Sequence, residues 1–244
     1  ASNICDRFDY FNDTTAATPK GNIGTPGSGR AAVGNNDYGY FCGGSYPAKS
    51  TVNRIDYSND TASAAAKGPL SHVTYQAAAT GNASYGWIGG GQTIAPSDIL
   101  TSVDRIDYSN DTATAIARGN LGGSPSTNAW SQGGSSSADT ALASNFIGTT
   151  SNIGHVDARD SLFPYMYIGG GPGPKTDIHR VDYSNDTALA LIKSYLLTGK
   201  YANAAMSSVN FGYWNGGQPG TTTAEVQRLD YANETSNSVT RGPL

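Results

Sequence analysis

Charged residues are scarce in this chain: Lys, Arg, Asp and Glu supply 14% of its 244 positions, against roughly 25% in an average soluble domain. The net charge is −4 and clustered Lys and Arg are missing, which argues against a nucleic-acid partner. Long apolar runs are missing too. None nears the ~20 residues that cross a bilayer as a helix, so no membrane insertion is expected. Histidine is limited to His72, His155 and His179, and none stands among Cys, Asp and His at a metal-ligand spacing. Gly169-Gly170-Gly171-Pro172-Gly173 lacks the following Lys-Ser/Thr and the helix of a phosphate loop. With no acid/base or metal cluster in view, the chain is not expected to be an enzyme or to need a cofactor or metal. The two cysteines, Cys5 and Cys42, cannot define a disulfide framework.

Glycine is plentiful, at 31 residues, and Ser, Thr, Asn and Ala fill much of the remainder. That composition suits short strands and many turns, as in secreted or virion surface proteins. It also carries a repeat. Asp104-Arg105-Ile106-Asp107-Tyr108-Ser109-Asn110-Asp111-Thr112 recurs as Asn53 to Thr61 and, with small changes, as Asp6 to Thr14, His179 to Thr187 and Gln227 to Thr235. Aligned on the Asp of each Asp-Tyr, the copies fall at Asp9, Asp56, Asp107, Asp182 and Asp230. They lie roughly 50 residues apart, with one longer interval. Gly43-Gly44, Gly89-Gly90-Gly91, Gly133-Gly134, Gly169-Gly170-Gly171 and Gly216-Gly217 mark the same period. The extra pair in the long interval predicts a decayed copy around Ala143 to Thr150. Residues 1–244 therefore read as one domain, with units at about 1–24 (partial), 25–70, 71–121, 122–160 (degenerate), 161–196 and 197–244. The start at Ala1 and the stop at Leu244 suit a processed chain or a segment of a longer array.

One unit can be followed from Ser71 to Leu121. Tyr75 to Thr80 is a small-residue strand, Gly81 to Ser84 a turn, and Tyr85 to Ile88 a second strand stopped by the glycine triplet. The variable loop Gln92 to Thr101 leads to a third strand, Ser102 to Tyr108, and Ser109-Asn110-Asp111 turns the chain into a fourth, Ala113 to Ala117. Four short strands joined by Gly, Asn and Asp turns make one antiparallel blade. The first strand is rich in Ala and Gly, as an innermost strand crowded around an axis should be. Thr187 to Leu197 comes nearest to helical periodicity, yet it sits where a fourth strand belongs. The expected fold is all-β: a β-propeller of four-stranded blades, five or six in number. The opening hairpin, Ile4 to about Thr18, lacks inner strands of its own.

The order of small-residue strand, aromatic strand ending in Gly-Gly, variable loop and Val-x-Arg-Ile-Asp-Tyr resembles a kelch-type propeller repeat. It departs from that pattern in having Asp before Tyr and in lacking the fourth-strand Trp. The sequence is more closely similar to the Arg-Ile-Asp-Tyr-Ser-Asn-Asp-Thr arrays of marine bacteriophages, notably cyanophages, found in virion structural and tail-fibre proteins. The likeness covers nearly the whole chain except about Ser135 to Arg159. It implies a non-enzymatic module at the virion surface, for assembly and host attachment, with other virion proteins, copies of itself or cell-surface glycan as partners. The alternative class is a secreted bacterial lectin or extracellular matrix protein.

Arg105 and Asp107, two apart on a strand, share one face. Arg7/Asp9, Arg54/Asp56, Arg180/Asp182 and Arg228/Asp230 repeat the pair, which predicts an ion-pair network between blades. Asn12, Asn59, Asn110, Asn185 and Asn233 begin glycosylation-type triplets, but in a phage-like protein they read as Asx-type turns. Tyr38/Tyr40, Tyr85/Trp87, Tyr165/Tyr167 and Phe211/Tyr213 are expected in the core between blades. Cys5 stands where the other copies have Val52, Val103, Ile178 and Val226, so it reads as a small buried hydrophobe; a Cys5–Cys42 disulfide is the sharper alternative. His179 occupies the slot of Asp6, Asn53, Asp104 and Gln227 and reads as a surface variant. Recognition is expected where the copies differ, in the loops after the glycine pairs. The candidate ligand residues are Tyr46, Lys49, Gln92, Asp98, Lys175, Asp177 and Gln218.

Overall fold

The computed structural model describes residues 3–9, 12, 14–45, 47–93, 98–122, 133–136, 165–171, 173, 175–200, 202–208, 210–217 and 223–244. The fold is all-β. After a two-stranded hairpin, β1 (Asp6–Arg7) with β2 (Thr18–Pro19), come four antiparallel four-stranded sheets arranged as a four-bladed β-propeller. The first blade is β3 (Ala31–Gly34), β4 (Tyr38–Cys42), β5 (Val52–Asp56) and β6 (Ala65–Lys67). The second is β7 (Ala78–Gly81), β8 (Tyr85–Gly89), β9 (Val103–Asp107) and β10 (Ile116–Ala117). The third is β11 (Gly133–Ser136), β12 (Tyr165–Gly169), β13 (Lys175–Asp182) and β14 (Leu191–Lys200). The fourth is β15 (Ala204–Ser207), β16 (Phe211–Asn215), β17 (Glu225–Asp230) and β18 (Val239–Pro243).

The small-residue strands β3, β7, β11 and β15 lie side by side around the axis, as their Ala and Gly content predicts. Four complete blades stand against the five or six expected. Gly133-Gly134, taken as the end of a second strand, instead opens β11, the inner strand paired with β12. The decayed copy placed around Ala143 to Thr150 lies outside the described residues. The segment Thr187 to Leu197 supplies most of β14, as its slot requires.

The hydrophobic core sits between blades. Tyr40, Cys42 and Val52 of the first blade pack with Ile88, Ile106 and Tyr108 of the second. Trp87 and Val103 pack with Ile168 and Val181, and Tyr167 and Ile178 with Trp214 and Leu229. The glycine pairs exist to let blades approach. Gly43 has φ +65, and a Cβ there would stand 2.5 Å from Thr74 O of the second blade's incoming segment. Gly170, at φ +88, would likewise meet Lys200 O at 2.7 Å. Only glycine fits both the conformation and the space. Lys200 is fully buried; its Nζ donates to Gly216 O at 2.9 Å and lies 3.2 Å from Glu225, tying the third blade to the fourth.

Candidate functional site

The repeated polar residues build a carboxylate clamp at each junction, with partners different from those expected. Asp107 is the last residue of β9, where the chain tightens into a 3-10 turn over Tyr108–Asn110. Its carboxylate therefore turns back to accept from Ser109 N at 2.9 Å and Ser109 Oγ at 2.6 Å. Asp56 and Asp182 do the same with Ser58 and Ser184, and Asp230 with Ala232 N. The Asx-type turn is thus made by the Asp of Asp-Tyr, not by the Asn of Asn-Asp-Thr. The expected ion-pair network between blades forms, but without the Asp of the motif: Arg54, Arg105 and Arg180 pair with the acid of the next blade's turn.

At the first junction Asp111 takes Arg54 at 2.7 Å, Lys67 at 3.1 Å and the Tyr40 hydroxyl at 2.9 Å. At the second, Asp186 takes Arg105 at 2.9 Å, Arg118 at 3.4 Å and Trp87 Nε1 at 3.0 Å. At the third, Glu234 takes Arg180, Lys193 at 3.5 Å and Tyr167 at 2.6 Å. The opening hairpin repeats the theme, with Arg7 and Lys20 on Asp60. Burial first, and hydrogen bonding to the neighbouring carboxylate second, push the Tyr40 and Tyr167 hydroxyls well above the ordinary tyrosine range. Both stay protonated and donate to those carboxylates. Above each clamp the next blade's tyrosine stacks on the same aromatic: Tyr108 on Tyr40 at 5.0 Å, Tyr183 on Trp87 at 3.9 Å and Tyr231 on Tyr167 at 4.9 Å. Tyr40, Trp87 and Tyr167 are core residues with Tyr38, Tyr85 and Tyr165 packed against them, as expected, whereas Phe211 and Tyr213 are half-buried outside these clusters.

The loop candidates occupy equivalent ends of successive blades. Lys49 is half-buried and its Nζ donates to Pro26 O at 2.9 Å. Gln92 bonds Gln76 at 3.1 Å, and Asp98 is exposed. Lys175 and Asp177 lie on β13, not in a loop as expected, because the strand is extended to Lys175 by its pairing with β14. Tyr46 and Gln218 lie outside the described residues. Among the described residues no hydrogen bond joins one blade's candidates to another's. The axial cavity, about 470 Å³, is lined by Ala32, Val33, Thr80, Gly134, Ala205 and Met206 among others, with no ionisable side chain other than tyrosine among the described residues. No group of three or more His, Cys, Asp or Glu able to hold a metal occurs among the described residues.

Sequence reasoning missed the slot before each Arg. Asn53, Asp104, His179 and Gln227 are all buried there, against the incoming segment of their blade. Asp104 accepts from Ser71 N and Oγ at 2.8 and 2.6 Å, and Gln227 Oε1 accepts from Leu197 N at 2.6 Å. The expectation of a surface His179 is corrected: the ring is 7% exposed, and burial holds its pKa below the ordinary value, with Asp177 opposing. His72 joins Asp104 through Nδ1, at 3.5 Å, and Ser102 through Nε2, at 2.9 Å. That acid–imidazole–hydroxyl order has the outline of a hydrolase relay. However, both Asp104 oxygens are already bonded to Ser71, and the other blades fill the same slot with Asn, His or Gln. Asp104 and Gln227 use the slot to hold the incoming chain.

Cys5 and Cys42 are both free, so the disulfide alternative fails. Cys42 is buried in the first inter-blade core, and Cys5 is half-buried beside β1. Compared with known proteins, the sequence matches no family model and no curated protein.

Proposed function

We propose that this chain is a non-enzymatic, kelch-like propeller module of a virion surface, of the tail-fibre kind. The opening hairpin counts as the outer half of a fifth blade. Its role is assembly and attachment to a host surface, with cell-surface glycan as the ligand class. One observation carries the reading. The charged side chains common to the repeats are consumed in clamps between blades, whereas Lys49, Gln92, Asp98, Lys175 and Asp177 differ from copy to copy at equivalent blade ends. A rigid frame with variable polar ends suits many weak contacts, where avidity offsets low single-site affinity. The resemblance to cyanophage repeat arrays supplies the virion context.

The test is binding of the purified chain, displayed multivalently, to an array of bacterial surface glycans. Binding should be lost in Lys49→Ala/Lys175→Ala with the melting temperature within about 2 °C, since both residues keep solvent exposure. A blank array with the multivalent chain sinks the attachment half of the proposal. Copurification with capsid and tail proteins separates the virion reading from the secreted lectin.

A further inference from the structure

The blade ends opposite the glycine pairs carry a cavity of their own. β4 runs from Tyr38 to Cys42, so its first residue stands about 15 Å from Gly43-Gly44 and the loop of Lys49. Two kinds of turn meet at that end. In the first blade Asn35 Oδ1 accepts from Asp37 N and Tyr38 N, both at 3.0 Å, and Tyr57 N donates to Asp37 O at 3.0 Å. In the second, Asn82 Oδ1 accepts from Ser84 N and Tyr85 N at 2.9 and 2.8 Å, and Tyr108 N donates to Ser84 O at 3.1 Å. Each strand-connecting turn is thus tied to the 3-10 turn of its own blade, and the space between the two blades is preformed.

That space is a cavity of about 390 Å³, within the roughly 300–1,000 Å³ of small-molecule sites. Asn35, Asp37 and Tyr38 line it from the first blade, and Ser84, Tyr85 and Asp107 from the second. Tyr108 also lines it, held by stacking on Tyr40 at 5.0 Å and only 8% exposed. Among the described residues no Lys, Arg or His reaches the lining. Asp107 spends Oδ1 on Ser109. Its Oδ2, the exposed Asp37 carboxylate and Asn35 Nδ2 make no hydrogen bond among the described residues. The Arg54 and Arg105 guanidinium groups lie over the Tyr38 and Tyr85 rings at 4.0 and 4.4 Å, so one face of each ring is already taken. Asp37 is not a demand of the repeat. The residue before the second strand is Ser84 in the second blade and Asn210 in the fourth.

We propose that this cavity binds a pyranose that carries no acid group, a neutral hexose or a hexosamine. Two carboxylates with no lining cation reject uronic acids, sialic acids and phosphates. They accept from neighbouring ring hydroxyls in charge-assisted bonds, while Asn35 Nδ2 donates to a sugar oxygen. The remaining tyrosine surface packs on the C–H face of the ring. A purely apolar ligand would strip water from both carboxylates and return no bond. A bare alkylammonium needs aromatic faces around it, and the guanidinium groups occupy those of Tyr38 and Tyr85. The site rests on the attachment reading for its sugar source, a cell-surface glycan, but lies at the other end of the blades from the loops.

The probes are glucose, galactose, mannose and glucosamine, titrated as free sugars into the isotope-labelled chain and followed by amide shifts in heteronuclear NMR. At least one should bind with a Kd of about 1 mM, the scale for one small ligand, and shift the amides of Asp37, Ser84 and Ser109. Glucuronate and tetramethylammonium should not. Asp37→Ala should weaken binding at least tenfold with the melting temperature within about 2 °C, since the side chain is exposed. Ser84→Trp, which fills the mouth, should abolish it. No shift with any of the four sugars overturns the proposal. So do shifts confined to the glycine-pair loops, undiminished binding by Asp37→Ala, or an equal response to tetramethylammonium. A blank multivalent array beside a positive titration sinks the loop reading alone, and a positive array beside a blank titration sinks this site alone.

Discussion

Replacing Asp111 with alanine should cost far more than replacing Asp107, although Asp107 belongs to the more prominent motif. The Asp111 side chain is 7% exposed and serves Arg54, Lys67 and Tyr40 together. Removing it strands two cations and a fully buried hydroxyl. Breaking a buried pair by deleting one partner costs about 3–5 kcal/mol. Arg54 and Lys67 keep 22% and 13% of their side-chain surface, so water recovers part of that loss. The Tyr40 hydroxyl, at 0% exposure, recovers little and adds about 1 kcal/mol. The expected loss is about 3–4 kcal/mol, a fall in Tm of roughly 6–15 °C for a chain of this size. Asp107 caps a one-turn 3-10 segment through Ser109, and losing such a cap costs about 1 kcal/mol, or roughly 2–4 °C.

Thermal melts followed by circular dichroism, with urea titrations to confirm an unchanged m-value, compare the two variants directly. Arg54→Ala placed on Asp111→Ala should add less than Arg54→Ala alone, because the two share one interaction. Equal losses from Asp107→Ala and Asp111→Ala would refute the clamp, and so would full additivity of the Arg54 change.

The fourth blade gives a related contrast: Arg228→Ala should lower Tm by less than about 2 °C, while Arg105→Ala, which takes the nearer of two cations from the buried Asp186, should lower it severalfold more; equal losses would mean that Arg228 has an acid partner in solution. Native alkylation with iodoacetamide, read by intact mass, should modify Cys5 alone. Cys42 is 1% exposed with its thiol pushed up to about 12 by burial, so its rapid labelling in the folded chain would contradict the packing. His179 should make stability pH-dependent. The unfolded imidazole takes a proton near pH 6.5 and the folded one only at lower pH. Below about 6.5 the unfolded state therefore binds more protons, and stability falls as pH falls until the folded ring also protonates. The urea midpoint should decline from pH 7 to 5 more steeply than in His179→Asn, and parallel curves would sink that assignment.

The blade could be read from sequence because each of its signals is local and recurs. Strand alternation, glycine at the strand ends and Asp before Tyr-Ser all act within one unit. The inner position of the Ala-rich strand follows from crowding, which composition reports directly. The clamp was hidden for an equally physical reason. The pleat does place Arg105 and Asp107 on one face, but β9 ends at Asp107 and the backbone turn claims that carboxylate. The acid that meets Arg105 is Asp186, contributed by the next blade across a junction that no local rule describes. The slot holding Asn53, Asp104, His179 and Gln227 misled in another way. Variation between copies looked like solvent exposure, whereas each residue is buried, and Asp104 and Gln227 bond differently shaped incoming segments.

Alignment of repeats also treats every copy as interior, and burial in a propeller is supplied by the neighbouring copy. Tyr40 and Tyr213 occupy the same slot in the same motif, yet one is sealed and the other half-open. Nothing in either residue's own unit encodes that difference. It comes from whether a Tyr and an acid follow in the adjacent blade. Loop differences mark where copies diverge in chemistry, and Lys49, Gln92 and Asp98 were found that way. The surroundings of Met206 differ only in what stands next to it. Reading that difference requires following burial blade by blade: Met206 is 59% exposed where Val33, in the same slot, is half-buried.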